Sequence, residues 1–284
     1  MIKKISYILY CIINFFNSLI IILINKNILL WFYTFIQEDS YRNLNLLGKK
    51  VKFFCPNHLI NFRIDTFFSK EPETINWINN FKNKNKEIIF WDIGANIGLY
   101  SVYASLKHKN KIRTISFEPS NNNLRILSRN ISLNNLQKKI YINSLALGRK
   151  KTNYQQFADD QFIEGSAFNQ LRNDIKKRKN NAYTLLSSSI DKMSEINKNL
   201  FPNYIKIDVD GNELDILTGG KKTFKKKFVH SVLIEIDEKS KDYKKILNFF
   251  KKNNFQLKSI NKSKYFISQN KCVKNYIFDK VLKK

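Results

Sequence analysis

The sequence predicts an α/β protein built on a mostly parallel sheet, with an apolar helical extension at its N-terminus. Three observations carry that prediction. From residue 87 onward, short apolar runs alternate with stretches of helical periodicity, the pattern of successive βαβ units. Glycine and proline number only 8 and 4 in 284 residues, too few for the tight turns of a sandwich or barrel. A hydrophobic fraction of 43% supplies a substantial core and argues against disorder.

Residues 1–36 are the apolar lead. Ile5 to Ile24 is flanked by Lys3-Lys4 and Asn25-Lys26 and has the length of a bilayer span, about 20 residues. Trp31-Phe32-Tyr33 has the character of an interfacial belt, but Asn14 and Asn17 interrupt the run. No small-residue cleavage site follows, so a signal peptide fits poorly. A single span with a cytosolic domain would also put Lys3 and Lys4 outside, against the positive-inside tendency. The segment therefore fits either peripheral or integral attachment to a membrane, or packing on the domain or a partner. Residues 37–86 are a mixed lead-in with a helix expected near Glu73 to Phe81. Pro72 at its first turn makes Glu71-Pro72-Glu73-Thr74 an ordinary helix start.

Residues 87–284 read as the main domain. Strands are expected at Glu87–Asp92, Ile112–Phe117, Lys139–Ser144, Tyr204–Asp208 and Val229–Ile236. Helices are expected from Gly98 to Leu106, from a cap at Ser120 through Ile131, through Leu214 and Leu217, and from Asp242 to Asn253. Phe255–Ile260 and Tyr265–Ile267 suggest a closing hairpin. Residues 150–183 are polar and Lys-rich, and read as an insertion or loop hairpin over the site.

In such a sheet, ligands bind beyond the carboxyl ends of the strands, so the residues just after each strand carry the information. After the first strand comes Asp92-Ile93-Gly94-Ala95-Asn96-Ile97-Gly98. Gly94 permits backbone angles closed to other residues, and Gly98 lets the helix start lie close to the sheet. Both the phosphate-binding Gly-Lys-Ser/Thr ending and the dinucleotide Gly-x-Gly-x-x-Gly pattern are missing, since position 96 is Asn and position 99 is Leu. Asp92, ahead of the first glycine, disfavours pyrophosphate and favours a cationic ligand such as a sulfonium. Glu118 ends the second strand and can accept hydrogen bonds from ribose hydroxyls, with Pro119 turning the chain into the next helix. The stretch Ser144 to Gly148, including Ala146, follows the third strand. After the fourth, Asp208, Asp210 and Glu213 put three carboxylates within six residues. Crowding can raise the pKa of one of them and make it a general base; such a group can also hold a divalent cation or simply cap a helix.

Net charge is +27, from 50 Lys+Arg against 23 Asp+Glu. It favours an anionic partner, although Lys-rich runs such as Lys176–Lys179 and Lys221–Lys227 are usually solvated surface. Cys11, Cys55 and Cys272 are odd in number and widely spaced, which points away from disulfides or a zinc site and toward a reducing, cytoplasmic compartment. His58, His108 and His230 form no metal-like cluster, and no metal is expected.

Three blocks, Phe90 to Ser101, Ile115-Ser116-Phe117-Glu118-Pro119 and Ile205-Lys206-Ile207-Asp208-Val209-Asp210-Gly211-Asn212-Glu213, together resemble the FkbM family of methyltransferases. The similarity covers about residues 70–260. It implies a class I methyltransferase, a doubly wound, Rossmann-like sheet of seven strands that uses S-adenosyl-L-methionine. Relatives methylate hydroxyls of sugars, lipo-oligosaccharides and polyketides, so a small-molecule or glycan acceptor is implied. By position it puts Asp92, Gly94, Ala95, Asn96, Gly98, Glu118, Pro119, Ala146 and Asp208 around the cofactor, and Asp208 and Glu213 near the transferred methyl. The family's Asp-Val-Glu-Gly-His-Glu block differs here: Asp210 replaces Glu, and Asn212 replaces His, so a mechanism using that His as base is closed. Asp208 is then the first choice of base and Glu213 the second. The competing functions are an RNA ribose-hydroxyl methyltransferase, which would use the positive charge, and a nicotinamide-dependent oxidoreductase, which would need a glycine-rich pyrophosphate turn. An Asn/Asp-Pro-Pro-Tyr/Phe motif of base-amine methylation is missing after the fourth strand, where Asp208-Val209-Asp210-Gly211 stands.

Overall fold

The apolar lead folds as two helices. α1 (Ile2–Ile24) ends where Asn25 turns into the left-handed region at φ 52°, and α2 (Leu29–Asp39) packs beside it. Asn17, an interruption in the sequence pattern, is buried between them and accepts the N–H of Ile28 at 2.9 Å. At 1.5 Å per residue the 23 residues of α1 extend about 35 Å. Nearly all its side chains are exposed, and by length and composition it is apolar enough to cross a membrane. The computed structural model describes residues 1–84, 86–150, 152–159, 162–167, 170–172, 181–262 and 272–281.

The lead-in contains a hairpin that has no counterpart in the expected elements. β1 (Tyr41–Leu46) and β2 (Lys49–Phe54) pair antiparallel through Leu47-Gly48, both at positive φ, the geometry that suits a two-residue turn. A leucine in that conformation is uncommon and hides the turn from a sequence reading. α3 (His58–Asp65), α4 (Phe67–Lys70) and α5 (Pro72–Asn79) follow, the last with Pro72 at its start as expected.

The main domain runs β3 (Ile88–Ile93), α6 (Leu99–His108), β4 (Ile112–Phe117), α7 (Asn121–Leu133), β5 (Ile140–Asn143), β6 (Ala146–Leu147), β7 (Thr152–Ala158), β8 (Gln170–Arg172), β9 (Ala182–Ser188) and α8 (Ile190–Ile196). It continues with β10 (Tyr204–Ile207), α9 (Glu213–Gly219), α10 (Lys221–Lys225), β11 (Ser231–Asp237), α11 (Tyr243–Lys252), β12 (Phe255–Asn261) and β13 (Val273–Lys280). Seven strands form one sheet in the order β12-β13-β11-β10-β3-β4-β5, with β13 alone running against its neighbours. The second strand of the closing hairpin is β13; the residues expected there, Tyr265–Ile267, lie outside the described residues, as does Lys176–Lys179. Lys221–Lys225 of the other basic run forms the short helix α10.

Alternation along the central strands builds a core on each face, which makes the sheet doubly wound. Phe90, Tyr204 and Leu233 pack with Val102, Leu127, Trp77 and Phe54 on one side. Trp91, Ile207 and Ile234 pack with Leu217, Phe224 and Phe250 on the other. The chain leaves β3 for β4 and β5 on one flank, then returns to β10 on the other. The switch in winding direction falls between β3 and β10, where a crevice opens in folds of this kind. On the return, β6, β7, β8 and β9 form a small separate sheet within the polar 150–183 region and its flanks. Leu147 and Phe157 anchor it while most of its other side chains stay partly exposed.

Candidate active site

The strand tips are locked together by the main chain. Gly94 and Ala95 donate to the carbonyl of Phe117 at 3.0 and 3.1 Å, Asp208 donates to Ile93 at 3.1 Å, and Glu118 to Asn143 at 3.1 Å. Gly94, at φ +81°, lies so close to β10 that a Cβ would stand 1.9 Å from the carbonyl oxygen of Asp208. Only glycine fits there. Gly98 has φ +83° and rests on Leu127, 2.4 Å from where its Cβ would be. It fixes α6 against α7 and does not line the cleft.

A cleft of about 370 Å³ opens over these tips, within the range of small-molecule sites. Gly94, Asn96, Glu118, Pro119, Ala146 and Asp208 line it, six of the positions expected around a cofactor. A narrower recess of about 50 Å³ continues from it past Ala95, Tyr100 and Lys206 toward α4.

Glu118 is 4% exposed. Its Oε2 accepts the N–H of Asn96 at 2.7 Å; its Oε1 accepts the N–H of Ser120 at 2.9 Å and the amide of Asn123 at 3.4 Å. A carboxylate has about four acceptor positions, so roughly one remains. Burial pushes its carboxyl up to about 7, against the opposing pull of those three donors. Asn96 stands at φ 52°, which turns its N–H onto Glu118 while its side-chain amide donates to the carbonyl of Ser166 at 2.8 Å. Ser166 is buried within the 162–167 segment, which thereby closes over the loop.

Asp208 faces the cleft with its carboxylate tied to Lys206, whose Nζ lies 2.7 Å from Oδ2. Lys206 is fully buried and passes 5.2 Å from the centre of the Tyr100 ring. Burial alone would raise the Asp208 pKa, but Lys206, then Lys70, outweigh it and hold the group below the usual carboxylate range. Lys206 is correspondingly raised by Asp208, Asp92 and Glu71, despite the opposing effect of burial. Glu71 takes part as well, bound to Lys70 at 2.9 Å and to the Tyr100 hydroxyl at 2.9 Å.

Besides Gly98, two expected site residues stand outside the cleft lining. Asp92 is 1% exposed and lies beneath the loop, beside Lys206 in the strand register. It accepts from Ser101 at 2.6 Å, and its other oxygen has no partner among the described residues. Side chains alternate along a strand, so Asp92 joins Lys206 under the sheet tips instead of reaching the cleft. Burial raises its pKa. Glu213 starts α9 and accepts the N–H of Gly211 at 2.8 Å, a helix-start contact; burial pushes it up to about 7. The cleft is lined by Asp210 and Asn212 of that loop, and not by Glu213.

Three residues of the site were not singled out from sequence: Lys206, Arg63 and Glu235. Arg63 of α3 donates through Nε to Gly165 at 2.6 Å and reaches both cavities. Glu235, at the end of β11, also lines the cleft. For Lys206 and Glu235 the signal was present, as each is a charge inside a run that a parallel sheet buries on both faces.

Sheet order, the single antiparallel strand and the crevice at the switch point define a class I, Rossmann-like methyltransferase. The chain belongs to the FkbM methyltransferase family: the methyltransferase FkbM domain matches residues 92–257, more than half of its length. Among solved structures it is similar to a methyltransferase FkbM from Methylobacillus flagellatus KT, with 17% identity over 77% of this chain and 52% of that one and a TM-score of 0.47. It thus spans about half the length of that relative. It is also similar to Aeropyrum pernix fibrillarin in complex with S-adenosyl-L-methionine, with 11% identity, 84% and 82% coverage and a TM-score of 0.47. A third is a precorrin-6y C5,15-methyltransferase from Geobacter metallireducens GS-15, with 12% identity, 74% and 87% coverage and a TM-score of 0.43. Comparison with curated proteins gives no match.

Proposed function

We propose that the chain is an S-adenosyl-L-methionine-dependent O-methyltransferase that modifies a hydroxyl of a glycan or similar polyhydroxyl metabolite. The observation that carries this is Glu118: a buried carboxylate that lines the cleft with three donors in place, one short of the roughly four it can accept. A ribose hydroxyl is the natural fourth donor. Gly94 brings bare backbone to the ligand, and Asp208, fixed as an anion by Lys206, suits a positively charged neighbour. When bound, the cofactor supplies an electrophilic methyl on a sulfonium. The protein's own share is to hold the ribose at Glu118, present a constant negative charge at Asp208, and orient the acceptor under the 162–167 segment. Methyl transfer depends largely on such alignment. The acceptor class rests on the family resemblance. The exposed apolar α1 supports attachment of the catalytic domain to the inner face of a membrane.

Isothermal titration with S-adenosylmethionine and S-adenosylhomocysteine tests the central reading. Wild type binds both. Glu118→Ala loses a hydrogen bond to a charged acceptor, about 1.5–3 kcal/mol, so its Kd rises about 10- to 150-fold. A wild type that binds neither compound removes the proposal.

A further inference from the structure

Glu235 is the one buried carboxylate of the cleft, among the described residues, for which no hydrogen bond is seen. Glu118 has three donors, Asp208 has Lys206, and Glu71 has Lys70 and Tyr100. Glu235 is 8% exposed and lines the cleft. An unpaired carboxylate is costly to bury, so it must either keep a proton or receive a donor from a ligand.

Its position says which part of a ligand it meets. Along the sheet, the tips carry Glu118 after β4, Gly94 after β3, Asp208 after β10 and Glu235 on β11. Lys206 pairs with Leu233 and the register runs to Ile207 and Ile234, so its continuation by one residue sets Asp208 beside Glu235 on the same face, one strand spacing of about 4.8 Å away. If the ribose sits at Glu118 and the sulfonium at the β3–β10 switch point, Glu235 lies one strand further on, where the acceptor must approach.

We propose that Glu235 is a catalytic residue that receives the acceptor hydroxyl's proton, and that it is ionised by the arrival of the positively charged cofactor. The inference rests on the cofactor reading above. As the hydroxyl oxygen bonds to the methyl carbon, its proton passes to a Glu235 oxygen. The methyl–sulfur bond breaks with its electron pair remaining on sulfur, leaving a neutral thioether and a protonated Glu235. Before the cofactor binds, the surroundings disfavour the ionised form of Glu235. Asp208 and Asp210 face it from the β10–α9 loop, and Lys70 and Glu71 from the α4–α5 junction. Lys206 on β10 is neutralised by Asp208. Opposite Glu235 on β13 stands Asn275, whose amide is already given to Glu73 at 2.8 Å. Burial, then Asp208, Glu71 and Asp210, raise Glu235 well above the usual carboxylate range, against the pull of Lys70. A sulfonium in the cleft reverses that balance, since a nearby cation favours the ionised form.

S-adenosylmethionine and S-adenosylhomocysteine differ by one methyl and one charge, so comparing them isolates the charge. Titration of the full chain near pH 7 with each compound, in phosphate and in Tris, reads the protons released on binding. In wild type, S-adenosylmethionine releases about half a proton or more beyond S-adenosylhomocysteine. Glu235→Gln binds both compounds and loses the difference. Glu235→Asp keeps it, which also covers a Gln variant that fails to fold; Asp92→Asn and Glu213→Gln keep it, and so does Glu118→Gln at saturating ligand, which excludes the other carboxyls whose pKa burial raises. Equal release for the two compounds in wild type overturns the proposal while leaving the cofactor reading intact. A difference that persists in Glu235→Gln overturns it as well. A wild type that binds neither compound removes the cofactor reading and this inference together.

Discussion

Lys206 offers the sharpest test of how the cleft floor is held. Its side chain is 2% exposed and its ammonium sits 2.7 Å from Asp208, with Asp92 beside it in the register and the Tyr100 ring nearby. Lys206→Met keeps the length and apolar stem but removes the charge. Breaking a buried pair costs about 3–5 kcal/mol, because the partner charge is left uncompensated. Asp208 is 28% exposed on the cleft side, so water recovers part of its solvation and the low end, about 3 kcal/mol, applies. Urea unfolding measures this directly as a shift in midpoint at unchanged slope. The double variant Lys206→Met/Asp208→Asn removes the stranded charge and regains at least about half of the loss. A single variant within about 1 kcal/mol of wild type refutes the view of Lys206 as counter-ion to the site, as does a double variant no better than the single.

Gly94→Ala sets a Cβ against the Asp208 carbonyl in a left-handed backbone, and is expected to cost about 2–5 kcal/mol of stability together with cofactor binding. Gly98→Ala meets only the movable end of Leu127 and costs about 1–2 kcal/mol, with binding retained. Thermal unfolding followed by titration ranks the two, and equal losses contradict the close approach at Gly94. Removal of residues 1–36 is expected to leave cofactor affinity within about twofold and to abolish co-flotation with anionic phospholipid vesicles. Persistent flotation places membrane contact on the basic surface instead of α1.

The sheet was legible because its strands are buried on both faces and read as apolar runs. Ile112–Phe117 was placed to the residue, and the helix capped by Ser120 begins where its hydroxyl accepts the N–H of Asn123. The β1–β2 hairpin was not, because Lys49, Lys50 and Lys52 hide its alternation and Leu47 occupies a glycine-like turn position. Nor were the strands of the small sheet, whose polar side chains carry little period. Within the site, Glu118 was found because a carboxylate after a strand is conspicuous. Asp92 was assigned to the ligand by the same logic, yet its place within the strand turns it under the sheet. Asp208 was chosen as base from its position alone, before its attachment to Lys206 could be seen. Chain proximity cannot show that Lys206 neutralises Asp208, nor that Glu235 has no such partner among the described residues, since that depends on three neighbouring strands.

The way segment 162–167 is fastened bears on how this scaffold can change. Asn96 grips Ser166, Asn123 accepts from Gly165 while donating to Glu118, and Arg63 holds the Gly165 carbonyl. The rim of the cleft is thus buttoned to the same residues that line the proposed nucleoside site. On that proposal, new substrates are best sought by exchanging the outer strands of the small sheet and leaving the clasp untouched, since loosening it would cost methyl-donor binding along with the old acceptor.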